Sequence, residues 1–248
     1  MNDLQRRNWL KDNGTFVKKF GPTPAAFDLL GEHLDVIRDR GSYVKVVTDR
    51  IPREPLIEKM RLYRDRGLRT YLDHAYFGRA RMYGDLEQRV GDAHELGVAA
   101  IEFYNIGEPI APDRWRDLYR RATDTGLEVI YEYHPPMKFG RPGDPSHAVR
   151  VDADEILRVA GTVLDCGARY LMLDHDTHKH AVGGLDTYEQ VMDRLGRDRV
   201  VVEVESQAIL RDMRLFIGRF GRDVPLSNIT FEQALAIEAL RDRAAAQA

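Results

Sequence analysis

From residue 41 onward the chain repeats one pattern: an amphipathic run, a glycine able to take the left-handed conformation that ends a helix, and a short apolar run of strand character. The glycines are Gly41, Gly67, Gly97, Gly126, Gly167, Gly196 and Gly221, and the apolar runs that follow fall at 43–47, 68–72, 99–103, 127–131, 170–173, 200–204 and 224–226. An earlier run at 15–20 brings the expected strands to eight. The intervening segments return apolar residues at three- and four-residue spacing, as in Leu86, Val90, Ala93 and Leu96, or Ile209, Met213, Phe216 and Phe220. Further helices are expected near 24–39, 54–66, 112–124, 152–165, 185–195 and 231–244.

Strands and helices that alternate in this way imply right-handed parallel crossovers, so the fold class is α/β. Eight strands favour a closed (β/α)8 TIM-type barrel over an open doubly wound sheet. No Gly-x-Gly-x-x-Gly follows the first strand, which removes the main support for a dinucleotide-binding sheet. One domain over 1–248 is expected, with 1–14 as a polar N-terminal extension and a proline-rich loop at 135–149 where barrels keep lids.

Composition changes this picture little. At 248 residues and 43% hydrophobic content, a single barrel buries a sizeable core. A formal charge of -3, with basic and acidic residues interspersed, gives no footprint for nucleic acid or an anionic membrane surface. No stretch approaches the length needed to span a bilayer, and Cys166 is the only cysteine, so neither a disulfide framework nor a multi-thiol zinc site is expected. A cytoplasmic protein fits these features. Apolar helix residues such as Trp115 and Leu118 suggest a homo-oligomer.

In a barrel the chemistry sits at the C-terminal ends of the strands. Those ends are acidic here: Glu102 on strand four, Glu132 on strand five, Asp174 on strand six and Glu203 on strand seven. Side chains alternate across a strand, so Glu102 shares a face with Tyr104, and Glu132 with His134. Four carboxylates in one ring cannot all stay ionised without positive charge among them. A divalent metal is the simplest source, held by Glu102, Glu132, Asp174 and Glu203. Mg2+ suits oxygen ligands, while His74, His134 and His175 nearby also admit Mn2+, Fe2+ or Zn2+. The alternative is that single acids pair with Lys18, Lys19 or Lys45 as structural ion pairs. His134 and His175 are the candidate proton carriers, because imidazole titrates near neutral pH. Asp73, His74, Tyr104 and Asn105 line the expected mouth and are candidate substrate contacts.

The C-terminal third, through Val200-Val201-Val202-Glu203, Phe216-Ile217-Gly218-Arg219-Phe220-Gly221 and Pro225-Leu226-Ser227-Asn228-Ile229-Thr230-Phe231-Glu232, resembles the phosphosulfolactate synthase family. Weaker similarity runs through nearly the whole chain. The resemblance implies a (β/α)8 barrel, Mg2+, and a Michael-type addition of sulfite to phosphoenolpyruvate in which a lysine after strand five protonates an enolate. It implies that Lys45 contacts an anionic substrate group, that Lys138 is a candidate for the proton-moving lysine, and that Asn228 belongs to the substrate site. The departures from the family pattern cluster at the mouth. Asp73-His74 replaces two glycines after strand three, Pro135 or Pro136 stands where the lysine is expected, and Asp174-His175-Asp176 replaces Glu-Gly-Arg after strand six. They imply a lyase or synthase with retained metal ligands and a substrate pair other than sulfite and phosphoenolpyruvate. An isomerase or cyclase with the same enolate chemistry, or a barrel retained for binding alone, would share these features.

Overall fold

The computed structural model describes residues 8–12, 36–39, 54–74, 86–104, 111–135, 150–174, 177–178, 181–204, 209–229 and 231–246. Eight parallel strands close into a barrel in sequence order: β1 (Asn8–Asp12), β2 (Val36–Asp39), β3 (Arg69–Leu72), β4 (Ala100–Tyr104), β5 (Glu128–Tyr133), β6 (Tyr170–Leu173), β7 (Val200–Glu203) and β8 (Leu226–Ile229). Among the described residues the helices are α1 (Glu54–Arg64), α2 (Leu86–Glu95), α3 (Pro112–Asp124), α4 (Ala153–Asp165), α5 (Leu185–Leu195), α6 (Ile209–Phe220) and α7 (Phe231–Ala246). No described helix is long and apolar enough to cross a membrane.

The helix, glycine, strand pattern is borne out from α1 onward. Gly67, Gly97, Gly126, Gly167, Gly196 and Gly221 all adopt positive φ, between 71° and 114°. At the end of α3, the left-handed turn at Gly126 lets Leu127 N–H donate back to Ala122 O at 3.0 Å and sends the chain directly into β5.

The first two strands differ from expectation. β1 lies inside the segment read as a polar extension, and β2 occupies the end of the helix read at 24–39. Trp9 and Leu10 are two apolar residues among polar ones, too short a run to stand out. Leu30, Leu34 and Ile37 carry helical spacing, yet the β-branched pair Val36-Ile37 hydrogen-bonds between β1 and β3 instead. These two strands close the barrel; the runs at 15–20 and 43–47, expected as its first and second strands, lie outside the described residues.

Alternation along β5 shows how the barrel sorts its side chains. Val129, Tyr131 and Tyr133 join the large apolar layer between strands and helices, whereas Ile130 packs inside the barrel with Tyr71, Ala100, Tyr170, Met172 and Val201. Outside, Trp115 of α3 meets Phe103 and Tyr131 edge-on, with ring centroids 5.8 and 5.9 Å apart. Trp115 and Leu118, which suggested an oligomer surface, are therefore buried within the chain itself, at 5% and 0% exposure. Each large apolar side chain buried in this way contributes roughly 1.5–3 kcal/mol. The inner plug sits below the strand ends, so it closes the barrel and forms the floor of the site above.

β8 breaks the alternation. Asn8 pairs with Leu226 and Leu10 with Ile229, so three steps of β8 oppose two of β1. Asn228 takes φ 68° at this bulge, and its Nδ2 donates to Val204 O at 2.8 Å, fastening β8 to the end of β7.

At Gly126 an added Cβ would meet nothing within 4 Å, so only the backbone conformation opposes a side chain there. Gly126→Ala is expected to destabilise the fold by about 1–2 kcal/mol, read from the midpoint of chemical unfolding. An unchanged midpoint would contradict the role given to this turn.

Candidate active site

The C-terminal ends of β3 to β6 bring six chemistry-bearing residues together. Asp73 and His74 follow β3, Glu102 lies on β4, Glu132 on β5, and His134 and Asp174 come just past β5 and β6. In the sheet register Glu132 stands beside Tyr104 on one side and Met172 on the other. Parity carries the rest: Glu132 points inward because Tyr131 and Tyr133 are committed to the outer layer.

The carboxylates are almost wholly buried, with Glu102 at 0%, Glu132 and Asp73 at 1%, and Asp174 at 3% exposure. Two imidazoles are threaded among them. His74 Nδ1 lies 2.7 Å from Glu102 Oε1 and 2.5 Å from Glu132 Oε2, and His74 Nε2 lies 3.7 Å from Asp73 Oδ1. The His74 backbone N–H also donates to Glu102 Oε1 at 3.3 Å. His134 Nε2 is 3.1 Å from Glu132 Oε1, while its Nδ1 is 3.2 Å from Asp174 Oδ2. Tyr104 sits between the two rings, with centroids 4.3 Å from His74 and 4.8 Å from His134, and so limits how far either can turn.

Charge follows from this packing. Burial works against a charged His74, but the Glu132 charge and hydrogen bonds with Glu102 and Glu132 overcome it and raise its pKa to about 11. His134 is likewise opposed by burial, yet hydrogen bonds with Asp174 and Glu132 bring it up to about 10. Burial and the neighbouring Glu203 charge push the Glu132 carboxyl up; contacts with Glu102, His74 and His134 outweigh both and hold it below its ordinary value. Without a metal, the site is a set of carboxylates bridged by imidazolium.

Two residues that sequence reading did not single out support this arrangement. Tyr188 of α5 donates its hydroxyl to Asp174 O at 3.0 Å, and Thr177 donates its N–H to the same carbonyl at 2.9 Å and its hydroxyl to Tyr133 O at 3.1 Å. Together they fix the turn that presents Asp174. Tyr188 and Thr177 carry no signal of their own in the sequence, because the bonds run to backbone atoms of other strands.

Of the expected site residues, Asp73, His74, Tyr104, Glu102, Glu132, His134 and Asp174 converge. Two groups have ligand atoms close enough to share a cation, within 4.8 Å of one another: Asp73 with His74 and Glu102, and Glu132 with His134 and Asp174. The ligand set expected from the sequence is thus divided, with histidines added, and Glu203 belongs to neither group. Asn228 is built into the β7–β8 wall, where Oδ1 is buried without a hydrogen-bond partner. Lys45, Asn105, Lys138 and His175 lie outside the described residues.

The sequence model of the family described as (2R)-phospho-3-sulfolactate synthase (ComA) matches residues 9–247. The chain belongs to this family. A phosphosulfolactate synthase of Methanothermobacter thermautotrophicus is 25% identical over 243 residues, 93% of this chain and 89% of that protein. Another, from Methanocaldococcus jannaschii, is 25% identical over 196 residues, covering 77% and 75% of the two chains. Among solved structures, KGPDC from Streptococcus mutans aligns over 96% of this chain and 98% of its own with a TM-score of 0.60 at 12% identity. The type I 3-dehydroquinate dehydratase of Clostridium difficile aligns over 96% and 93% with a TM-score of 0.58 at 14% identity. These two likenesses show the fold. Membership in the ComA family makes the chain an enzyme of lyase type, as the resemblance implied.

Because both imidazoles titrate above the ordinary value of 6.5, their charge stabilises the metal-free fold fully below about pH 6.5. That contribution is lost as pH rises through about 10 for His134 and about 11 for His74. In chelator, the melting temperature of wild type should therefore exceed that of His134→Gln at pH 7, and the gap should close as pH passes 10. A gap independent of pH would contradict the protonated state.

Proposed function

We propose that this chain is a phosphosulfolactate synthase-like, divalent-metal-dependent lyase or synthase that acts on a small anionic, enolisable substrate through an enolate. The observation that carries this reading is that Glu132, His134 and Asp174 bring ligand atoms within 4.8 Å of one another at the barrel mouth. Two carboxylates and an imidazole form a donor set that suits Mn2+ or Zn2+ and tolerates Mg2+. When bound, such a cation supplies positive charge opposite an enolate oxygen.

The remaining steps belong to the chain's own residues. Tyr188 and Thr177 hold Asp174 in place, and Tyr104 restrains the His134 ring from the side. Asn228, fastened to Val204 O in the β7–β8 wall, is retained in this reading as a substrate contact. In this reading Lys45 contacts the substrate's anionic group, and Lys138 or His175 moves the proton. The inner plug of Tyr71, Ile130, Tyr170 and Met172 excludes water from below.

The substrate pair is read as other than sulfite and phosphoenolpyruvate. His74 and Asp73 stand where the resembled pattern has glycines, so acids and an imidazole occupy space that two polyanionic reactants would need. An acidic lining also repels polyanions that are not paired with a cation.

With metal restored after chelation, Glu132→Gln or Asp174→Asn should lower turnover of the true substrate by more than the 10–100-fold typical of outer ligand partners, while circular dichroism stays native. Substrates are sought among enolisable oxo acids, with sulfite plus phosphoenolpyruvate as the comparison. Wild-type turnover in either variant would overturn the site assignment. Efficient synthesis from sulfite and phosphoenolpyruvate would overturn the substrate assignment alone.

A further inference from the structure

Building on that reading, we infer that the barrel mouth is a two-cation centre: Asp73, His74 and Glu102 hold a second divalent ion, and Glu132 bridges it to the ion at His134 and Asp174. The decisive feature is how Glu132 divides its two oxygens. Oε1 faces His134 Nε2 at 3.1 Å, and Oε2 faces His74 Nδ1 at 2.5 Å. One carboxylate thus presents a separate oxygen to each of the two ligand groups, which is the geometry of a bridging ligand.

The His74 side has the form of a ligand set, not of a simple hydrogen bond. A single ring nitrogen is approached by Glu102 Oε1 at 2.7 Å and Glu132 Oε2 at 2.5 Å. One N–H can be directed well at only one of them. Three donor atoms from three strands instead surround one point, and a cation at that point would bind all three at once. Asp73, buried to 1% exposure beside the same ring, completes the group. The His74 and His134 ring centroids are 6.2 Å apart on either side of the Glu132 carboxylate, which accommodates two ions at the roughly 3.5–4 Å separation of known two-metal sites.

Charge agrees with geometry. Asp73, Glu102, Glu132, Asp174 and Glu203 are five carboxylates, none more than 5% exposed. Buried ions need compensation close at hand. Two divalent ions bring four positive charges and let both imidazoles act as neutral ligands; one ion brings two. Two ions can clamp two oxygens of one substrate, so the ligand class that fits is a bidentate oxyanion such as a 2-oxo or 2-hydroxy carboxylate.

The test uses the full chain, stripped with chelator and titrated with Mn2+ alone by equilibrium dialysis, with electron paramagnetic resonance of the loaded protein. Two Mn2+ per chain and a spin-coupled spectrum are expected in wild type. Asp73→Asn and Asp174→Asn should each retain one ion and lose the coupling, with native circular dichroism. One Mn2+ per chain in wild type, lost in Asp174→Asn and kept in Asp73→Asn, would overturn the second site and leave the single-metal reading standing. No bound Mn2+ in wild type would overturn both. The wild-type stoichiometry decides the matter even if a variant fails to fold.

Discussion

Glu132 is the constraint around which the rest of the mouth is arranged. Its carboxylate is 1% exposed, on β5, and it meets an imidazole at each oxygen. Removing a carboxylate from water carries a penalty of several kcal/mol unless opposite charge is held nearby. Two neighbours on different strands, His74 after β3 and His134 after β5, supply that charge; Glu102 shares the Nδ1 of His74 with Glu132, and Asp174 holds the other nitrogen of His134. The arrangement is possible because β5 is locked from outside by Tyr131 and Tyr133, whose burial under the helices leaves Glu132 no other direction.

The barrel keeps stability and chemistry in separate layers. Below the mouth, Tyr71, Ala100, Ile130, Tyr170, Met172 and Val201 fill the interior with close-packed side chains. Above it, the titratable groups sit on strand ends that are tied by backbone acceptors, as Asp174 is by Tyr188 and Thr177. A metal ion held here would compete with protons for the same nitrogens. With imidazoles that hold protons to about pH 10 and 11, its loading would displace protons, and its affinity would fall as the solution becomes more acidic. The site therefore remains charge-compensated in either state, which explains how such a density of buried acid coexists with a stable fold.

Much of this was legible in the sequence, for local reasons. From α1 onward each unit carries its own glycine stop and a strand with a clear apolar run, so helices such as 112–124 and 185–195 are read to the residue. The first two strands were hidden because Trp9-Leu10 and Val36-Ile37 are two-residue apolar pairs between charges, and only pairing with β8 and β3 makes them strands. In the site, strand parity pointed to Glu102, Glu132, Asp174 and Glu203. His74 was singled out at the mouth, but its pairing with Glu132 was not legible, since that contact crosses from β3 over β4 to β5 and depends on the curvature of the closed sheet. For the same reason the separation of the acids into two groups, with Glu203 outside both, emerges only in three dimensions.

The central claim is that the acidic mouth binds a divalent cation in the native state. The most direct measurement is the melting temperature of chelator-treated wild type and Glu132→Gln with and without millimolar Mg2+, Mn2+ or Zn2+, because an ion that binds only the folded chain must raise its melting temperature. The account predicts a metal-specific rise in wild type that is absent from Glu132→Gln. Equal melting temperatures with and without every ion in wild type would contradict it and leave the imidazolium–carboxylate network as a structural device.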